Sequence, residues 1–164
     1  MRKHNFVNAV LAALFAAMIF VMTRFVQIPT FLGYIHPGDA IIYLSAAILP
    51  APYSLLSAGI GGAMADLSSG YVIYVPITIL VKVLLALCFT NKGEKLFSVR
   101  NIIAPVICII ITVGGYFAFE IFYYGAGAYA TILPNLIQGV CSGVIFIFLA
   151  FAFDKVNLKK KLQR

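Results

Sequence analysis

The stretch Asp39-Ala-Ile-Ile-Tyr-Leu-Ser-Ala-Ala-Ile-Leu49, stopped by Pro50-Ala51-Pro52, decides how many times this chain crosses a membrane. Eleven residues of helix at 1.5 Å each reach about 16 Å, short of a hydrocarbon core of about 30 Å. The stretch is therefore either a short second helix or the first half of one Pro-kinked helix over 39–68. Charge placement separates the two. With six crossings and a cytoplasmic N-terminus, Arg2, Lys3, Lys92, Lys95, Arg100, Lys155, Lys159, Lys160, Lys161 and Arg164 share the cytoplasmic side, leaving Arg24 outside. Five crossings would put Lys92, Lys95, Arg100 and the basic tail outside, against the tendency of basic residues to stay in the cytoplasm. Six spans are predicted, with both termini cytoplasmic.

Composition sets the frame for that reading. Of 164 residues, 63% are apolar, and 12 Lys or Arg stand against 5 Asp or Glu. A soluble domain is about 45–50% apolar. The chain is predicted to be one all-α integral membrane domain over 1–164, which excludes a soluble enzyme, a large extramembrane domain and a nucleic-acid binder. The net charge of +7 marks a cytoplasmic face. Uncharged runs place helices at about 5–25, 39–50, 53–68, 74–90, 102–123 and 131–153, with a Pro/Gly-rich outer loop at 28–38 and a basic tail at 154–164. The basic head and apolar run at the start resemble a signal peptide, but no small-x-small cleavage site follows, and a retained first helix is expected. Cys88, Cys108 and Cys141 lie apart in apolar sequence and read as buried thiols, not as metal ligands.

Helices associate in lipid through small residues. Ala9, Ala13 and Ala17 form a strip on the first helix, fitted either to internal packing or to a separate partner protein. Ala58-x-x-x-Gly62, Gly59-x-x-x-Ala63 and Gly139-x-x-x-Gly143 suit internal packing of the third and sixth helices.

An ionisable group at mid-bilayer costs about 2.5–3.5 kcal/mol on insertion scales, so each needs a partner or a wet cavity. Tyr74, Thr78 and Lys82 share one face of the fourth helix. Tyr116 and Glu120, continued by Tyr123 or Tyr124, share one of the fifth, and Asn135, Gln138 and Ser142 one of the sixth. All lie in the outer half and suit a small, flat, polar ligand. The bland alternative is a Lys82–Glu120 ion pair with interhelical amide bonds. Asp66, Arg24 and Asp39 are expected in interfacial ion pairs, with Asp39 alternatively an N-cap after Pro37-Gly38. The loop carrying Tyr34 and His36 is able to act as a lid, although a lone loop histidine is usually an exposed one. No phosphate loop, H-E-x-x-H or G-x-S-x-G occurs, so neither ATP hydrolysis nor catalysis is expected, and no cofactor is indicated.

Several weak motifs in order then carry a resemblance: the alanine strip; Gly33-Tyr34-Ile35-His36-Pro37-Gly38-Asp39-Ala40; the stop at Pro50; Ala58-Gly59-Ile60-Gly61-Gly62-Ala63-Met64-Ala65-Asp66; Tyr74-Val75-Pro76; and Pro134-Asn135-Leu136-Ile137-Gln138-Gly139. Over essentially its whole length the chain resembles the substrate-binding S components of energy-coupling factor (ECF) vitamin transporters, in the branch of the hydroxymethylpyrimidine and riboflavin types. The resemblance implies a multi-pass subunit of a bacterial cell membrane that docks on a transmembrane T component driven by two ATPase subunits. It implies docking through Ala9, Ala13 and Ala17, and a lid around Tyr34 to Asp39. Substrate contacts are expected from Tyr34, His36, Asp39, Tyr74, Lys82, Tyr116, Glu120, Asn135 and Gln138. It implies delivery by toppling of the loaded subunit in the membrane. Hydroxymethylpyrimidine or a pyridoxine-like compound is the first expectation for the ligand. Riboflavin, stacked on tyrosines 71, 74, 116, 123 and 124, is the second. A polytopic scaffold without transport is the competing class.

Overall fold

The computed structural model describes residues 2–162, with side chains from His4 onward. Arg164 and the side chains of Arg2 and Lys3, expected among the cytoplasmic basic groups, lie outside the described residues.

Six helices form the body: α1 (Arg2–Arg24), α2 (Gly38–Ile48), α3 (Ala51–Ser69), α4 (Val75–Cys88), α5 (Val99–Tyr124) and α6 (Tyr129–Lys155). A short α7 (Leu158–Leu162) follows within the tail that the sequence suggested only as a basic run. The loop at 28–38 contains a two-residue hairpin, β1 (Ile28–Pro29) against β2 (Tyr34–Ile35), closed by the Thr30 N–H on the Gly33 carbonyl at 2.8 Å.

The single kinked helix over 39–68 does not form. A residue before proline is driven out of the helical region, and Leu49 is extended (φ −90°, ψ 151°) ahead of Pro50. The short α2 is the centre of the molecule. Every residue from Gly38 to Ile48 is buried, and α1, α3, α4 and α6 all pack on it. A helix apolar on all sides belongs in a core, and one enclosed by other helices has no lipid-facing length to match. Beneath α2, Tyr43 stacks on Phe89 at 4.7 Å, and Phe146 meets both rings edge-on.

By length and composition α1 and the α5–α6 stretch are able to cross a membrane, while α2 and Val72–Cys88 are shorter apolar helices. The outward faces carry large apolar side chains such as Leu14, Ile60, Val106, Ile110 and Phe148. The small-residue motifs of α3 and α6 pack internally. A Cβ on Gly62 would lie 3.1 Å from the side chains of Thr78 and Lys82 of α4, and one on Gly139 2.8 Å from Ile109 of α5. α1 turns Ala12, Phe15 and Ile19 inward and leaves Ala9, Ala13 and Ala17 exposed.

The loop after α1, the turn at 70–74 and the turn at Gly125–Ala128 gather at one end of the bundle, where Tyr34 reaches Asp66 and Glu120 reaches Thr131. Asp154 closes the opposite end by accepting the backbone N–H groups of Leu96 and Phe97, both at 2.8 Å. Lys159 is not part of a solvated tail: it folds back, buried, onto the carbonyls of Asn91 and Gly93 at 2.7 Å. Burial lowers its pKa, opposed by the charge of Asp154.

Candidate functional site

A cavity opens at the loop end between α3, α4, α5, α6 and the hairpin. Its deepest polar contacts begin with Asp39, which the first turn of α2 carries into the core. Pro37, without a side-chain cap bond, occupies the N-cap position, so Asp39 is not the cap. Nor is it interfacial: it is fully buried, and both its oxygens are occupied. Lys82 Nζ donates to Oδ1 at 2.6 Å and Gln138 Nε2 to Oδ2 at 2.9 Å. Lys82 therefore pairs with Asp39 and not with Glu120. Asp39 does not line the cavity; it stands behind it and fixes two residues that do.

The other end of Gln138 holds the loop, because its Oε1 accepts the His36 N–H at 3.2 Å. His36 is buried, contrary to the usual exposure of a loop histidine. Its Nδ1 accepts the Gly38 N–H at 3.1 Å, with Thr23 Oγ1 at 3.4 Å, which assigns the ring proton to Nε2. The crowding here requires glycine at 38, since a Cβ would lie 2.1 Å from Thr23 Oγ1. Burial, reinforced by the charge of Lys82, holds the His36 imidazole down to about 3. A free histidine titrates near 6.5. Between those values the unfolded chain takes up a proton that the folded loop refuses, so stability falls as pH drops from about 6.5 toward 3, by up to about 1.4 kcal/mol per pH unit. Thermal unfolding at pH 7 and pH 5 should show this loss, and His36→Asn, which keeps an acceptor for Gly38, should reduce it. An identical pH dependence in the variant would remove His36 as its cause.

The walls follow from helical spacing. Tyr74, Thr78 and Lys82 line the cavity from α4 and its leading turn, Tyr116 and Glu120 from α5, and Asn135 and Gln138 from α6. Glu120 Oε1 accepts the Tyr74 hydroxyl at 3.2 Å, and Oε2 accepts the Thr131 hydroxyl in a short bond. Thr78 Oγ1 and the Tyr116 hydroxyl lie 3.2 Å apart. On α3, Asp66 is buried and not interfacial; its Oδ1 accepts the Tyr34 hydroxyl at 2.6 Å and its Oδ2 has no partner. Arg24 stacks over Phe25, 5.6 Å from the ring centre, and makes no ion pair among the described residues. The side chain of Asn135 faces the cavity without a hydrogen bond among the described residues.

Tyr34, Tyr71, Tyr74 and Tyr116 form an arc with successive ring centres 5.3, 5.9 and 6.5 Å apart. Tyr123 and Tyr124, expected to continue the Tyr116–Glu120 face, are exposed outside the cavity. Ser142 is buried, and it is not among the lining residues. Sequence reasoning missed Thr131, although it stands seven residues before Gln138 on the same face. It also missed Thr23, which the return of the loop alone brings in. The arrangement surrounds the cavity with aromatic faces and hydrogen-bonding groups.

The profile of the family described as ECF-type riboflavin transporter, S component, matches residues 3–155. The chain belongs to this family. No curated relative matches it. Members of the family are substrate-binding subunits of transporters, not enzymes, and work with a T component and ATPases. In this S component the first loop is tied to two helices of the bundle, to α3 through Tyr34–Asp66 and to α6 through His36–Gln138.

Proposed function

We propose that this S component captures a single-ring nitrogen heterocycle with a hydroxymethyl group, of the hydroxymethylpyrimidine or pyridoxine kind. Toppling on a T component driven by two ATPase subunits then delivers it to the cytoplasm. The observation that carries the substrate choice is the set of directional polar groups around the cavity, the Lys82 ammonium, the Asp66 and Glu120 carboxylates and the Asn135 and Gln138 amides, which match a small ring bearing several polar substituents. Riboflavin is the second reading, favoured by the family match and the tyrosine arc.

The basic residues Lys92, Lys95, Arg100 and Lys155 lie at the end opposite the cavity, so the cavity faces outward from a bacterial cell membrane. The loop over 28–38 is the lid. The exposed Ala9, Ala13 and Ala17 are the docking strip, continued by an apolar groove of Met18, Val21, Met22 and Ile41.

Calorimetric titration of the purified protein with hydroxymethylpyrimidine, pyridoxine and riboflavin tests the reading. One single-ring compound should bind below micromolar, with riboflavin weaker. Tight riboflavin binding alone selects the second reading, and no binding tighter than micromolar across a panel of B vitamins and precursors removes the transporter assignment. Asn135 is the clean probe of contact. Asn135→Ala should weaken binding by about 1–3 kcal/mol through a lost buried hydrogen bond, with no change in melting temperature. Unchanged affinity would take Asn135 out of the site.

A further inference from the structure

The loop after α1 has its polarity inverted. From Phe25 to Ile35 it carries no charged residue. Its polar and small residues Thr30, Gly33 and Tyr34 line the cavity. Its outer side presents Phe25, Val26, Ile28 and Phe31, with Ile28 67% and Phe31 82% exposed. Apolar side chains turned to water forgo the free energy of burial. Exposed apolar surface of this kind marks contact with a protein or with a membrane.

Two observations choose the membrane. Large apolar and aromatic side chains are also exposed at the other two turns of this end. Val72 and Ile73 follow α3, while Phe122 and Tyr129 flank the turn between α5 and α6. A partner seated on α1 covers one of these places, whereas a bilayer surface meets them all, and aromatic belts mark that level. The second observation is Arg24. It is half-buried, stacks over Phe25 at 5.6 Å and has no carboxylate in ion-pair distance among the described residues. A cation on an apolar stem beside an aromatic ring suits the lipid phosphates, with the ring among the acyl chains below.

We infer that the outer side of this loop rests in the membrane interface, with Phe25, Ile28 and Phe31 among the upper acyl chains and Arg24 at the phospholipid phosphates. The loop is then held from two directions. Tyr34 and His36 tie it to the bundle, and its apolar side ties it to lipid. This holds whichever ligand the cavity takes.

The chain contains no tryptophan, so one introduced indole is the only one to report. Ile28 and Phe31 are outside the cavity lining and largely exposed, so Ile28→Trp and Phe31→Trp disturb neither the core nor the site. The full chain is placed in nanodiscs of phosphatidylcholine and phosphatidylglycerol. Both indoles should emit at short wavelength, and lose most of that emission when the lipids carry bromine about 5–10 Å below the headgroups. Glu94→Trp, in the exposed loop at the opposite end, should emit as an indole in water and be untouched by the brominated lipid. Water-like emission at 28 and 31, quenched by dissolved iodide and not by brominated lipid, overturns the inference. So does a shift to short wavelength that occurs only when the T component and ATPases are added, which would make this side a protein interface.

Discussion

Lys82→Met should lower the stability of the protein by about 3–5 kcal/mol, the cost of leaving a buried carboxylate without its cation. Asp39 is fully buried on the central helix, and after the substitution only Gln138 would remain to satisfy it. The loss propagates, because Asp39 orients Gln138, and Gln138 holds the backbone N–H of His36. Lys82→Met should therefore loosen the loop as well as the core. The double variant Lys82→Met with Asp39→Asn removes both charges and should recover most of the stability, since a buried pair contributes little beyond what well-packed neutral groups supply. A thiol-reactive dye in a Cys88→Ala, Cys141→Ala background reads this well, because Cys108 is fully buried, whereas Cys88 is half-buried and Cys141 exposed, not buried as the apolar sequence around them suggests. A Lys82→Met protein as stable as the parent would mean that Asp39 is neutral and the pair is not ionic.

Ala13→Leu should cost the other large effect, and at a different level. Ala13 is exposed on the face of α1 opposite Ala12, Phe15 and Ile19, so the added bulk meets nothing inside this chain. In a helix interface built on small residues, the same bulk separates the backbones. Overpacking of this kind costs about 1–3 kcal/mol, or about five- to 150-fold in complex formation. Uptake of labelled vitamin by cells carrying the T component and ATPases should fall accordingly, while ligand binding to the purified variant stays unchanged. Loss of binding together with uptake would return the strip to ordinary internal packing.

The contrast between Lys82 and the alanine strip shows what a sequence of this kind discloses. Helical spacing alone put Tyr74, Thr78 and Lys82 on one face, and the charge-free runs outlined six helices, because both depend on neighbours within one element. Which carboxylate meets Lys82 depends on which helices are neighbours. Glu120, on a long helix, looked like the better partner; Asp39 won because the short α2 sits at the centre against α4. The same central position turned Asp39 from a surface residue into the support behind the site. His36 and Thr23 were hidden for a related reason: a Pro/Gly-rich loop has no period, and its return path over the bundle is written in contacts with distant residues such as Gln138. Asp66 did carry a usable signal. It stands four residues after Gly62, whose missing side chain lets Thr78 and Lys82 approach α3, so the face it shares points at the cavity.

Identification of the small molecule that accompanies the purified protein tests the central claim most directly. Protein extracted gently from a membrane, washed, and denatured for mass spectrometry should release one nitrogen-heterocyclic vitamin or precursor near one per chain, and Asn135→Ala should release less. A protein that carries none, and binds none when a panel is added back, would contradict the account.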